Sequence, residues 1–161
     1  MNLDLALLRR PQWLMGGGAL ALFVFTFFFK WFGASIATEV GGVSLGFHLG
    51  LDAWHSLADT RWLLLLTILA ALFRVGAEAG GRELELPVPA SAIVALLAGL
   101  CAICVLYRII DHPHLSVSYG PTTLHYGAEL GIYLGFIACV AIAYGALEDL
   151  RAGAWSFRGA A

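Results

Sequence analysis

Charge is what this sequence has least of: Asp, Glu, Lys and Arg together make up 12% of its 161 residues. A soluble domain carries about 25% charged residues, because a water-facing surface needs them. The shortfall excludes a surface that is mainly solvated by water. Lysine is nearly absent, Lys30 being the only one among nine basic residues. With a formal net charge of −2 there is no electrostatic attraction for a phosphate backbone, and no nucleic-acid partner is expected. Cysteine is sparse too. Cys101, Cys104 and Cys139 all fall in apolar stretches, which excludes the loop disulfide framework of small secreted domains. Catalytic signatures are missing: there is no Walker loop, no H-E-x-x-H and no G-x-S-x-G. Haem between helices would need histidines near mid-membrane on facing helices, and there are none. No cofactor is expected.

What is present is apolar. Hydrophobic residues make up 60% of the chain and the mean hydropathy is +0.84. A spanning helix needs about 20 predominantly apolar residues, and four such runs are visible: about 13–32, 61–78, 89–110 and 123–147. The fold expected is an all-α membrane protein, a single four-helix transmembrane domain over 1–161, with the outer loops able to add a short extracytoplasmic β-hairpin or small sheet. Residues 1–12 read as a short interfacial helix ending in Arg9-Arg10. The first run, at about 20 residues, exceeds the 7–15 of a signal-peptide core, so it reads as a retained anchor. Trp13 and Trp31 fall at its ends, where an aromatic belt belongs, and Lys30 can reach the outer interface from its last turn.

Breaks between the runs are well marked. Arg74 and Glu78, four apart, can pair along the second span. Gly80-Gly81 ends it, Pro89 opens the third span, and Pro113 stops that one. In the longest loop, 33–60, Val43, Leu45, Phe47 and Leu49 alternate with small or polar residues, a strand pattern. Leu51–Asp59 reads as helix, with Asp52, His55 and Asp59 on one face. Leu115–Tyr119 is strand-like, followed by a Gly120-Pro121 turn. Glu148, Asp149, Arg151 and Arg158 mark an exposed tail. Placing both tails and the 79–88 connection in the cytosol puts six arginines there and leaves Lys30, Arg61 and Arg108 outside. The positive-inside rule therefore favours cytosolic termini in a multi-pass protein of the cell (inner) membrane.

Several residues are candidates for function. Gly127, Gly131 and Gly135 recur every four residues, matched by Ser91, Ala95 and Gly99 on the third span. Small residues at this spacing let helices approach closely, either within one bundle or between copies. Arg108 and Glu129 lie at matching depths near the outer surface, so they read as an intramembrane ion pair or as a ligand site. All five histidines map to the outer half. His125 and Glu129 are four apart, one helix face if the span begins at 123, and Asp52, His55, Asp111 and His125 form a candidate outer-face ligand cluster. For a metal the candidates are His55, His125 and Glu129, although their spacing matches no defined metal motif. Cys101-x-x-Cys104 is formally C-x-x-C, as in four-helix thiol oxidoreductases that work beside a quinone, but there is no loop cysteine to relay electrons. With a fourth span from about 123, Cys139 lies about 13 Å deeper than Cys104, too far for a bridge.

The layout resembles uncharacterised four-helix integral membrane proteins of actinobacterial type. The likeness rests on Asp52-Ala53-Trp54 ahead of the second span, on Leu106-Tyr107-Arg108-Ile109-Ile110-Asp111 with Pro113 closing the third, and on Tyr126-Gly127 opening a glycine-rich fourth. It spans about residues 13–151 and implies no activity. The architecture is also similar, by analogy only, to claudin-like tetraspans, without their Trp and Cys signature in the first outer loop. The functional expectation is a non-enzymatic accessory, scaffold or oligomerising subunit that recognises a protein partner or its own copies through outer loops and glycine-rich helix faces. The alternatives are a small transporter or channel component with an outer vestibule, and a membrane redox or metal-dependent enzyme.

Overall fold

The computed structural model describes residues 9–40, 43–53, 60–81, 89–111, 116–119 and 122–158. Among the described residues four long helices and four strands follow in the order α1 (Arg10–Phe28), β1 (Lys30–Val40), β2 (Val43–Asp52), α2 (Arg61–Ala79), α3 (Ala90–Ile110), β3 (Ser116–Tyr119), β4 (Thr122–Ala128) and α4 (Leu130–Arg158). Each helix is long and apolar enough to cross a membrane. The shortest, at 19 residues, is about 28 Å long at 1.5 Å per residue, close to the hydrocarbon thickness of about 30 Å.

The helices are apolar on both sides. On α3 the buried face runs through Val94, Ala98, Cys101 and Val105, while Ile93, Leu96, Leu100, Ile103, Tyr107 and Ile110 stand exposed on the other. On α4 the exposed stripe is Leu130, Tyr133, Ile137, Val140, Tyr144 and Leu147. A helix in water turns a polar stripe outward, and a helix apolar all round belongs in hydrocarbon. The chain is a membrane protein with a four-helix bundle. α1 and α4 run antiparallel in close contact. A Cβ on Gly18 would lie 2.9 Å from Ile142, and one on Gly145 would lie 2.7 Å from the Pro11 carbonyl oxygen. The core joins Met15 and Leu22 of α1, Leu64 and Ile68 of α2, and Ile132 and Ile142 of α4.

α2 and α3 fall within a residue of the bounds read from the sequence, because glycine and proline punctuate them. Gly81 takes a positive φ of 62° at the end of α2, as a helix stop requires, and Pro89 flanks the start of α3. The other two spans need correction. The first is Arg10–Phe28, not 13–32, so Lys30 and Trp31 lie on a strand. The fourth begins at Leu130, not 123, and runs to Arg158. Residues 122–128 are strand β4. Lipid-compatible residues continue past the true helix ends in both places, so apolarity alone does not mark the change from helix to strand. Residues 10–12, read as the end of a short interfacial helix, belong to the first turn of α1, while residues 1–8 lie outside the described residues.

The strands form one antiparallel sheet in the order β2-β1-β4-β3. It caps the end of the bundle where α1 stops and α4 starts. β1 follows α1 after one residue, and β4 precedes α4 by one residue, so the two central strands are direct continuations of membrane helices.

Candidate functional site

The sheet alternates strictly. Ser35 of β1 stands opposite His48 of β2 and opposite His125 of β4, and His125 stands opposite Ser116 of β3. Directly paired residues of an antiparallel ladder share a face. One face therefore carries Gly33, Ser35, Ala37 and Glu39, with Gly46, His48 and Gly50, then Thr123, His125 and Gly127. The other carries Ile36, Leu45, Phe47, Leu49, Leu51, Leu124 and Tyr126. At its root the apolar face joins the bundle core through buried Phe32, with Ala128 packed against it. Farther out, Phe47 is 64% exposed.

Trp31 locks the sheet to the bundle. The β1–β2 register slips between Lys30 and Phe32, leaving Trp31 as an extra residue in a bulge. Its ring is fully buried, and its indole Nε1–H donates to the Phe25 carbonyl at 2.7 Å. That carbonyl is in the last turn of α1, where acceptors have no partner within the helix. The ring lies on Gly131 and Gly135 of α4: a Cβ at either would fall 2.8 Å or 2.4 Å from ring atoms, and one at Gly131 would also lie 2.4 Å from the Lys30 carbonyl oxygen. The backbone N–H of Glu129 donates to the Trp31 carbonyl at 2.8 Å. Two expectations change. The glycine spacing on the fourth span cradles an indole instead of a helix, with Gly127 on β4, and Trp31 belongs to the core instead of an aromatic belt. Trp13 and Trp62 stand exposed as belt residues do.

At the opposite end a polar knot joins α2, α3 and α4. Arg74 pairs with Glu78 along α2, as its spacing implied, and its Nη2 donates to Asp149 Oδ2 of α4 at 3.0 Å. Arg74 Nε donates to Ser91 Oγ of α3 at 3.3 Å, and Ser91 Oγ donates to the same Asp149 oxygen at 2.5 Å. Buried Gln12 of α1 accepts through Oε1 from the Arg9 N–H at 2.7 Å. Asp149 is thus part of the bundle and not of an exposed tail. Ser91 serves as a hydrogen-bonding group as well as a packing residue.

Mid-bundle, Cys101 and Cys139 are both buried in the shared core. The sequence pointed to Cys101-x-x-Cys104 instead. With α4 starting at Leu130, Cys139 sits nine residues into its helix, and Cys101 sits nine before Ile110, at the same depth.

The other expected residues scatter. Arg108 lies half-buried in the last turn of α3 and Glu129 at the joint of β4 and α4; among the described residues no ion pair joins them. Asp111 is exposed at the end of α3, Ala95 packs on the core, and a Cβ on Gly99 would meet nothing within 4 Å. Asp52 closes β2 opposite Lys30. His125 lies on β4, so it shares no helix face with Glu129. His55, His112 and His114 lie outside the described residues. His48, pooled in the sequence with the other outer histidines, is the one that the sheet register puts in line with His125. Its place in the alternation of 43–49 was the available signal.

No protein-family model matches the chain, and no curated protein matches it. The likeness to actinobacterial and claudin-like proteins accordingly carries nothing further; the class defined by fold and surface is an integral membrane four-helix bundle capped by a small antiparallel sheet.

Proposed function

We propose that this chain is a non-enzymatic accessory or scaffold subunit of the cell membrane, both termini cytosolic and the sheet outside, that assembles with a second copy of itself through strand β2. One observation carries the reading: among the described residues β2 is an edge strand, and its own sequence carries nothing that would blunt the edge. It has one neighbour, β1, and over Val43–Asp52 it has no proline, no lysine and no charge before Asp52. Edge strands that stay single are blunted by such residues, because free N–H and C=O groups template another strand. The pattern is self-complementary. Antiparallel pairing about Phe47 sets Leu45 opposite Leu49, and the apolar face continues across eight strands. A two-fold arrangement of this kind is the commonest closed assembly, and it would cover Phe47.

The test is size in nanodiscs or mild detergent, joined to cross-linking. Wild-type protein is expected as a dimer or larger, Phe47→Lys is expected to be monomeric with unchanged helix content, and Phe47→Cys is expected to give a disulfide-linked pair in native membranes. A wild-type protein that is strictly monomeric and purifies with lipid alone sinks the reading. A stoichiometric foreign subunit lost with Phe47→Lys would keep the edge as the interface but replace the occupant.

A further inference from the structure

The bundle carries a groove along the contact of α1 and α4, a cavity of about 360 Å3 lined by Trp13, Gly17, Ala21, Phe25, Ile137 and Ala141. The two helices meet at its floor, where a Cβ on Gly18 would lie 3.4 Å from the Ala138 carbonyl oxygen. Gly17 leaves the groove empty from the α1 side, since a Cβ there would meet nothing within 4 Å. The walls are bulky, with Trp13 and Ile137 both exposed. We propose that this groove holds one acyl chain of an anionic phospholipid, with the phosphate of the headgroup at Arg10.

Size selects the chain. From Trp13 to Phe25 the groove follows α1 for about 18 Å, close to the depth of one leaflet in a hydrocarbon core about 30 Å thick. A cavity of about 360 Å3 drawn out over that length has a mean cross-section of about 20 Å2, the bore of one unbranched hydrocarbon chain. A helix, about 10–12 Å across with its side chains, is too wide to enter. The lining is almost wholly apolar, and an unfilled apolar void forfeits the dispersion contacts of its walls. Charge selects the headgroup. Arg10 precedes Trp13 by three residues and Leu14 by four, so it shares their helix face at the mouth of the groove, and it is exposed. Arg9 and Arg151 are exposed at the same end. Among the described residues this end has Arg9, Arg10, Arg74 and Arg151 against Glu78, Glu148 and Asp149, an excess of positive charge. The first turn of α1 contains no acidic residue, so nothing within it offsets the positive end of the helix dipole. Trp13 marks the level at which a headgroup sits.

The groove lies at the far end of the molecule from β2, so the lipid site stands or falls apart from self-pairing. It is tested on the full chain in phosphatidylcholine nanodiscs doped with a minor share of phosphatidylglycerol, by native mass spectrometry of the protein released from them. Wild type is expected to keep one phosphatidylglycerol per chain, enriched over its share of the disc. Gly17→Leu fills the groove from a position with open space and should lose that lipid while its melting temperature holds. Gly99→Leu, equally open at its Cβ but on α3, should keep it. If Gly17→Leu melts early, Ala21→Leu plugs the same groove in its place. Arg10→Gln should cut the enrichment about fivefold, the size of one arginine's attraction for anionic lipid. Phe47→Lys should leave the lipid bound. A wild-type chain released bare, lipids kept only in the proportions of the disc, or a lipid that survives both plugging variants overturns the proposal. Loss of a protein dimer in place of a lipid on plugging would give the groove to a helix, and overturns it as well.

Discussion

Trp31 shows how much a single side chain can decide. Its indole caps α1, its backbone holds the start of α4, and its ring fills the groove made by two glycines. The cradle has no slack, because close-packed neighbours yield little and overpacking costs about 1–3 kcal/mol. Gly131→Ala and Gly135→Ala are therefore each expected to lower the melting temperature and to loosen the sheet from the bundle. Gly99→Ala, with open space at its Cβ, is expected to be neutral or mildly stabilising, since alanine favours helix. Size-exclusion thermal melts of the three variants check this; equal losses in all three would mean that helix flexibility, not the indole, is what the glycines serve. The sequence displayed the glycine spacing but not its occupant. A stripe of small residues records that something comes close, and either a helix or a ring satisfies it.

Between elements, the polar knot does what a loop would otherwise do. Arg74, Ser91 and Asp149 belong to three helices, and Asp149 accepts from both of the others. Side-chain exposure is 17% for Arg74 and 9% for Asp149, so the charges are largely withdrawn from water and depend on one another. Asp149→Ala removes the shared acceptor and leaves the Arg74 guanidinium with Glu78 and the Ser91 hydroxyl. A loss of about 1–3 kcal/mol is expected, and Ser91→Ala added to it should cost less than it does alone, because the two act on one oxygen. A double-mutant melt series checks the sign, and strict additivity would contradict a shared knot. Asp111→Asn, at an exposed position, is the comparison expected to change little. The Arg74–Glu78 half of the knot was legible, since i to i+4 spacing is local. Asp149, far along the chain, looked like tail because its neighbours Glu148 and Arg151 are charged.

For the whole molecule, the proposed sidedness is directly measurable. The three native thiols are Cys101 and Cys139, buried, and Cys104, half-buried, so they offer little background to an impermeant reagent. Asp111→Cys lies at the sheet end and Ala152→Cys toward the opposite end, both at exposed positions. On intact cells the first is expected to react with a membrane-impermeant maleimide and the second only after permeabilisation. The reverse pattern would invert the orientation, and labelling of both would remove the four-span arrangement.

Composition and run length determined the environment and the number of spans. Too little charge and four runs of about 20 apolar residues leave no water-facing arrangement. Local punctuation placed α2 and α3, because Gly81 and Pro89 act on their own backbone. Only the tertiary structure decided where α1 and α4 give way to strands. Apolar residues suit a membrane helix and a sheet face alike, and pairing between 30–40 and 122–128 joins residues some ninety positions apart. The same long-range register set His48 beside Ser35 and His125, and moving α4 by seven residues brought Cys139 level with Cys101. Contacts made across such distances leave no local trace, because neither partner's immediate neighbours feel the other until the chain has folded.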